Sequence, residues 1–235
     1  MKKKEDLIKD FFSIRGNEQL ESLTNLLDEC ELHLKGPEAD GDIRNLVNVI
    51  NALRTYFMTG SKDEARSYVE DLYERLVEDC IATETNLSFF EMRLLGAILF
   101  IEKNLEKAIK MINYCLEQLE IYKFEDEYAK TKMVLNLRLI ILLVDSKIFD
   151  KHYQVKYDEI ISGKISETIR FNLQTGLNNA YYVACANIYK GIFLKDEDII
   201  YTGLLLLKHS EAEENLGADE LVKSFIKRYD IKIDL

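Results

Sequence analysis

Residues 99–108 read LFIEKNLEKA, and this stretch indicates how the chain is organised. The apolar pair Leu99-Phe100 closes one apolar segment, a short polar break follows, and Glu106 lies at the start of the next segment. Acidic residues are favoured in the first turn of a helix, where they interact with the helix dipole. The stretch is therefore typical of a connection between two helices.

The same kind of break recurs along the chain. It is found in FFSIRGNE at 11–18, YFMTGSKDEA at 56–65, LVDSKIFD at 143–150 and IYKGIFLKDE at 188–197. The second residue of each closing pair stands at 12, 57, 100, 144 and 189, so the spacings are 45, 43, 44 and 45 residues. One helical hairpin cannot bury its apolar stripe alone, and stacked repeats of this size can. We therefore predict an all-α fold, a TPR-like helical-repeat solenoid of about five helical hairpins, as one domain over 1–235. Five unrelated hairpins of similar length are the alternative.

Two helices can be predicted in more detail. One begins at the cap Ser61 and runs to about Glu78, and the other runs from Leu105 to about Tyr122, each with apolar residues at i+3 and i+4 spacing. Three glycines fall inside helical patterns, where the missing side chain lets two helices approach closely: Gly96, Gly176 and Gly203.

The composition narrows the class of protein. Hydrophobic residues make up 47% of the 235 residues and there is a single proline, which favours a large helical core. The 31 basic and 42 acidic residues give a net charge of −11, which disfavours binding to a phosphate backbone. There is no signal peptide and no apolar run that could cross a membrane, so we expect a cytoplasmic protein without a membrane partner.

Residues that could carry chemistry are sparse. The four cysteines are widely spaced and the three histidines lie in different repeats, so we expect reduced core cysteines and no metal site. Phosphate-binding and nucleophile motifs are absent, and nothing in the sequence calls for a cofactor. We expect a protein that is not an enzyme.

Polar residues on otherwise apolar helices are the candidate site. Asn136 and Arg138 lie in an aliphatic helix over 131–145, and Arg93 lies among apolar neighbours over 89–100. In a helix that starts near Ser166, three polar residues fall at i, i+4 and i+8, namely Arg170, Gln174 and Asn178. Tyr181 and Tyr182 continue this polar stripe. Amide, guanidinium and phenol groups could bind the backbone of a peptide. Each could instead cap a neighbouring helix or pair with a glutamate inside the repeats.

Two segments carry a family resemblance. FFEMRLLG at 89–96 resembles an aromatic-aromatic-Glu-x-x-Leu-x-Gly stretch of the Rgg/MutR-type transcriptional regulators of Gram-positive bacteria. VLNLRLII at 134–141, followed by FDKHY at 149–153, resembles the next helical hairpin of that family. The chain departs from the family at Ala97, where members often carry an asparagine.

The resemblance implies a function. In that family a helix-turn-helix domain binds DNA, and the helical repeats dimerise and bind a short hydrophobic pheromone peptide on their concave face. This chain would then be the sensor half, a homodimer that binds a short peptide pheromone in quorum sensing and regulates transcription through a helix-turn-helix not present here. The alternative is a scaffold or antagonist that binds a partner protein through the same repeats.

Overall fold

The computed structural model shows a chain built of helices. It describes residues 2–14, 19–36, 40–79, 86–102, 104–150, 153–175, 180–212 and 218–231. Within these ranges every regular element is helical and no strand is present. The prediction of an all-α fold is confirmed. The same residues contain no helix long and apolar enough to cross a membrane.

The chain divides into two compact units, Met1–Asn104 and Leu105–Leu235. The first unit contains α1 (Lys4–Ser13), α2 (Gln19–Leu34), α3 (Gly41–Thr59), α4 (Lys62–Ser67), α5 (Glu70–Tyr73) and α6 (Phe89–Ile98). Helix α3 packs against α1, α2, α4 and α6, so it lies at the centre of this unit. Its buried face consists of Ile43, Leu46, Val49, Ile50 and Ala52.

The helix predicted from Ser61 to Glu78 is interrupted. Ser61 caps α4 as expected, because its side chain accepts a hydrogen bond from the backbone of Glu64. After α4 the backbone N–H groups of Tyr68 and Val69 bond to carbonyls three residues earlier, as in a 3₁₀ turn. Beyond α5 the chain continues as a π-helix over Glu74–Asp79. The apolar residues Val69, Leu72 and Leu76, which follow one another at i+3 and i+4 spacing, are all buried along this segment.

The second unit contains α7 (Leu105–Leu119), α8 (Tyr128–Phe149), α9 (Asp158–Thr175), α10 (Ala180–Leu194), α11 (Glu197–Ala212) and α12 (Ala218–Tyr229). A 3₁₀ turn extends α7 to Tyr122, where the sequence predicted its end. Each helix packs against the next one along the chain, and α8 also packs against α10. The buried residues of α7 recur at helical spacing: Ala108, Met111, Ile112, Cys115, Leu116 and Leu119.

Helices α8 and α9 form an antiparallel hairpin. The rings of Tyr128 and Phe171 lie 6.2 Å apart at one end. At the other end the ammonium of Lys147 lies 2.8 Å from the carboxylate of Asp158. Because these contacts join the start of one helix to the end of the other, the two helices run in opposite directions.

Helices α8 and α10, in contrast, run parallel. The ammonium of Lys147 lies 4.2 Å from the ring centre of Phe193, and Arg138 of α8 is close enough to Tyr181 of α10 to act on its hydroxyl. These two pairs are separated by 46 and 43 residues along the chain, close to the spacing of 45 between the breaks after 144 and 189. The period of the sequence is therefore also the offset between these two packed helices.

Glycine allows α10 and α11 to approach closely. A Cβ atom on Gly203 would lie 2.7 Å from Cγ1 and 2.8 Å from the backbone nitrogen of Ile188. A Cβ atom on Gly191 would lie 2.6 Å from the backbone nitrogen of Ile200. The prediction of a close approach at Gly203 is confirmed, Gly96 is buried in α6, and Gly176 lies outside the described residues.

The predicted helix breaks differ in accuracy between the two units. Three helical segments of the first unit end at Ser13, Thr59 and Ile101, within two residues of positions 12, 57 and 100. Helices α8 and α10 end five residues after positions 144 and 189. The reason for α10 is visible at Lys195, whose φ of 57° marks the left-handed turn that ends the helix.

Candidate functional site

Asn136 is the most unusual of the predicted site residues. It lies in the middle of α8, its side chain is 1% exposed, and neither its amide nitrogen nor its amide oxygen has a hydrogen-bond partner among the described residues. A buried polar group without a partner costs about 1–3 kcal/mol. The amide therefore retains an unused donor and acceptor beneath the surface of α8.

Arg138 on α8 lies close enough to Tyr181 on α10 for its charge to act on the Tyr181 hydroxyl. The Arg138 side chain is exposed and Tyr181 is half-buried. The neighbouring Cys185 side chain and burial raise the pKa of the Tyr181 hydroxyl, and the guanidinium of Arg138 acts in the opposite direction. An exposed cation beside a phenol on adjacent helices can bind a carboxylate or a peptide carbonyl.

Arg170 and Gln174 lie elsewhere, on α9. Both side chains are exposed and one helical turn apart, as predicted. The helix that carries them begins at Asp158, eight residues before the predicted start at Ser166, and ends at Thr175. Tyr181 and Tyr182 belong to the next helix, so they do not continue this stripe. Asn178 lies outside the described residues.

Arg93 packs against aromatic rings within the first unit. It lies on α6, and its guanidinium carbon is 3.7 Å from the ring centre of Phe12 and 5.9 Å from that of Phe89. A guanidinium over aromatic faces is favourable by about 0.5–2 kcal/mol. The contact joins α1 to α6, which is the structural role that each of the polar residues could have instead of binding.

A second cluster on α8 and α10 involves residues that were not predicted as a site. The Tyr229 hydroxyl of α12 donates a 2.6 Å hydrogen bond to the carboxylate of Asp145, and Arg228 forms an ion pair with the same carboxylate. The Tyr229 hydroxyl also lies 3.5 Å from that of Tyr189. The pKa of Tyr229 is raised, mainly by burial and secondly by the nearby Asp145 carboxylate. The phenol therefore remains a hydrogen-bond donor near neutral pH. Asp145 closed the aliphatic segment in the sequence, but no sequence pattern connects it to residues more than 80 positions away.

A small cavity lies between α7 and the start of α9. Its volume is about 260 Å³, and it is lined by Glu106, Ile109, Lys110, Lys156, Tyr157 and Ile160. The ammonium of Lys156 lies 2.6 Å from the carboxylate of Glu106 across this cavity, and that pair lowers the pKa of Glu106. Sites for drug-sized molecules measure about 300–1,000 Å³, so this cavity is better suited to a single side chain.

The described residues offer no group of three or more His, Cys, Asp or Glu side chains that could hold a metal ion. Cys30, Cys115 and Cys185 are buried and form no disulfide among the described residues, and burial raises the pKa of the Cys30 thiol to about 11. Cys80 and His152 lie outside the described residues. No family model, curated protein or solved structure matches this chain.

Proposed function

We propose that this chain is a peptide-sensing regulatory domain. It binds a short signalling peptide on the surface formed by α8 and α10, and it acts as a homodimer. The peptide-bound state controls transcription through a DNA-binding module. The protein works in the cytoplasm and belongs with the Rgg/MutR-type regulators that its 89–96 and 134–153 segments resemble.

The observation that carries the proposal is the Arg138–Tyr181 pair. The two residues lie on parallel helices that are offset by one sequence period, which is the arrangement of first helices in a helical-repeat solenoid. Solenoids use the surface of these helices to bind extended partners. An exposed guanidinium and a neighbouring phenol on that surface match a peptide carboxylate or carbonyl.

The buried amide of Asn136 is a second polar group of α8. It lies two positions before Arg138, which is about 200° around the helix, and its donor and acceptor lack partners in the described part of the chain. An asparagine amide matches both the N–H and the C=O of a peptide backbone. A ligand that reached it would remove the cost of leaving both groups unpaired.

A second function, that of a scaffold or antagonist, is favoured by exposed apolar side chains in the second unit. Ile121 and Phe124 are 59% and 89% exposed between α7 and α8, and Leu173 is 75% exposed near the end of α9. The Tyr128–Phe171 contact places the start of α8 beside the end of α9, so the three side chains lie toward the same end of these helices. Exposed apolar patches often bind proteins.

Native mass spectrometry of the full chain, purified from the cells that produce it, distinguishes the two functions. A sensor is expected to be a dimer with the added mass of a short peptide. A dimer without a peptide, or a complex with another protein, would contradict the sensor and support the scaffold.

Variants then assign the site. Arg138→Ala and Tyr181→Phe are each expected to raise the Kd for the peptide at least about ten-fold, which corresponds to a loss of about 1.4 kcal/mol of binding free energy. The matched control is Arg44→Ala, which removes an exposed arginine on α3 in the other unit. Retention of the peptide by both site variants would exclude the α8–α10 surface.

A further inference from the structure

The end of α12 is attached to α8 and α10 by a small set of side chains. Phe225 and Tyr229 contact the ring of Tyr189 on α10, with ring centres 5.5 and 6.0 Å apart. Tyr229 also stacks on Phe149 of α8 at 6.3 Å. Together with the Asp145 contacts of Arg228 and Tyr229, these interactions place the end of α12 over both parallel helices.

The described side chains of this contact differ in exposure. Phe225 is 8% exposed, while the side chain of Arg228 is 50% exposed and Phe149 is 61% exposed. An exposed ion pair contributes little net stability, because water solvates the separated charges well. Among the described side chains, the end of α12 is therefore held by the buried rings of Phe225 and Tyr189 and by partly exposed groups around them. Contacts that are partly exposed to solvent open more readily than a fully buried core.

We propose that the surface formed by Asp145, Phe149 and Tyr189 is a docking site for an amphipathic helix, and that α12 is a latch that occupies this site within the chain. The partner that displaces α12 presents the same chemistry. It carries an aromatic side chain, and about one turn later an arginine next to a tyrosine. The arginine and the tyrosine hydroxyl take over the carboxylate of Asp145.

The charges favour such a partner. Asp145 is the acidic group at the site, and the last turn of α12 carries the basic residues Lys227 and Arg228. A helix with basic residues in its last turn also complements its own dipole there. An acidic segment in place of α12 would be repelled by the Asp145 carboxylate.

The docking site lies close to the proposed peptide-binding surface along α8. Arg138 and Asp145 are seven residues apart on α8, which is two helical turns or about 10 Å along the same face. A ligand that extends from Arg138 and Tyr181 along this face meets α12 within that distance. The inference does not depend on the peptide-sensing function, however, because the chain's own helix serves as the probe.

The test uses a fluorescein-labelled synthetic peptide of residues 218–231 and the full chain. Fluorescence anisotropy measures its affinity for the natural chain and for a chain with Arg228→Glu and Tyr229→Ala, which weaken the latch and leave the docking site intact. The weakened chain is expected to bind the peptide at least about ten-fold more tightly. Addition of Asp145→Asn to the weakened chain is expected to reduce that affinity at least about five-fold.

The matched control replaces Lys227 instead of Arg228. Lys227 is exposed on α12 and none of the described contacts with Asp145 involves it, so Lys227→Glu alone changes the charge of the latch by the same amount and is expected to leave peptide binding like that of the natural chain. Equal affinity of the natural and weakened chains would overturn the proposal. So would binding that is insensitive to Asp145→Asn, or no binding by any of the chains.

Amide exchange of the natural chain gives a readout that needs no variant. If α12 opens as a latch, its amides exchange at least about ten-fold faster than those of α10. Equal protection of both helices would mean that α12 opens only when α10 unfolds, and this result would also overturn the proposal.

Discussion

Replacement of Gly203 by alanine is expected to destabilise the protein, although alanine is the better helix former. In α11 the new methyl group would lie 2.7 Å from Cγ1 of Ile188, 2.8 Å from its backbone nitrogen and 3.1 Å from the carbonyl oxygen of Ala184. Two of these three atoms belong to the backbone of α10, so a change of side-chain rotamer cannot relieve the overlap. The two helices must move apart.

The expected magnitude follows from two opposing effects. Glycine to alanine in a helix interior gains about 1 kcal/mol of stability. Overpacking in a closely packed core costs about 1–3 kcal/mol, and a backbone overlap belongs to the upper part of that range. We therefore expect Gly203→Ala to lower the free energy of unfolding by about 1–2 kcal/mol.

Gly163→Ala is the matched control. Gly163 also lies inside a helix, α9, but apart from its chain neighbours and its own helix backbone a Cβ atom there would have no atom within 4 Å. This variant is expected to gain about 0.5–1 kcal/mol. Urea denaturation followed by circular dichroism gives both values, and amide exchange in α10 and α11 shows whether the loss is local. Equal stabilisation by the two substitutions would refute the close packing of α10 on α11.

Three further predictions concern other residues. Asn136→Leu is expected to leave the free energy of unfolding unchanged or raise it by about 1 kcal/mol in urea denaturation, because it removes a buried amide without partners. A clear loss would mean that the amide is paired. Ser88→Ala is expected to cost about 1 kcal/mol in the same assay, because Ser88 and Glu91 form the capping box of α6. A neutral result would contradict that cap. The hydrogen bond and charge of Lys147 lower the pKa of Asp158. The ionised Asp158 therefore stabilises the fold above about pH 4, the pKa of an aspartate in the unfolded chain. This stabilisation is lost as the pH falls through the lower pKa of Asp158 in the folded chain. Asp158→Asn should flatten this part of the pH–stability curve, and an unchanged curve would contradict the pairing.

The helical class and the main breaks could be predicted because they depend on local signals. The spacing of apolar pairs placed the ends of α1 and α3 within two residues, and Gly60, with its φ of 70°, ends α3 where the sequence has a glycine. The end of α8 was less accurate. Asp145, Ser146 and Lys147 resemble a polar break, but they continue the helix, since Asp145 and Lys147 find partners on α12, α9 and α10.

The site was only partly predictable for the same physical reason. Asn136 and Arg138 stand out as polar residues in an aliphatic helix, and the packing of α8 against α10 brings the charge of Arg138 close to Tyr181, whereas Asn136 is buried. Arg93 has the same sequence signature but lies over aromatic rings of its own unit. A single sequence gives polarity and spacing, whereas the choice between a binding surface and an internal contact depends on which side chain lies opposite.

The offset of 43 to 46 residues between the facing positions of α8 and α10 limits where this chain could tolerate added residues. An extra residue in the connection between α8 and α9 would leave both helices unchanged in length and Arg138 in its place. One extra residue inside α8 between Arg138 and Asp145 would rotate the rest of that helix by about 100°. Lys147 would then turn away from Phe193, which now lies 4.2 Å from it, although Arg138 would keep its place. Length variation during evolution should therefore concentrate in the loops, and the helices should change by substitution alone.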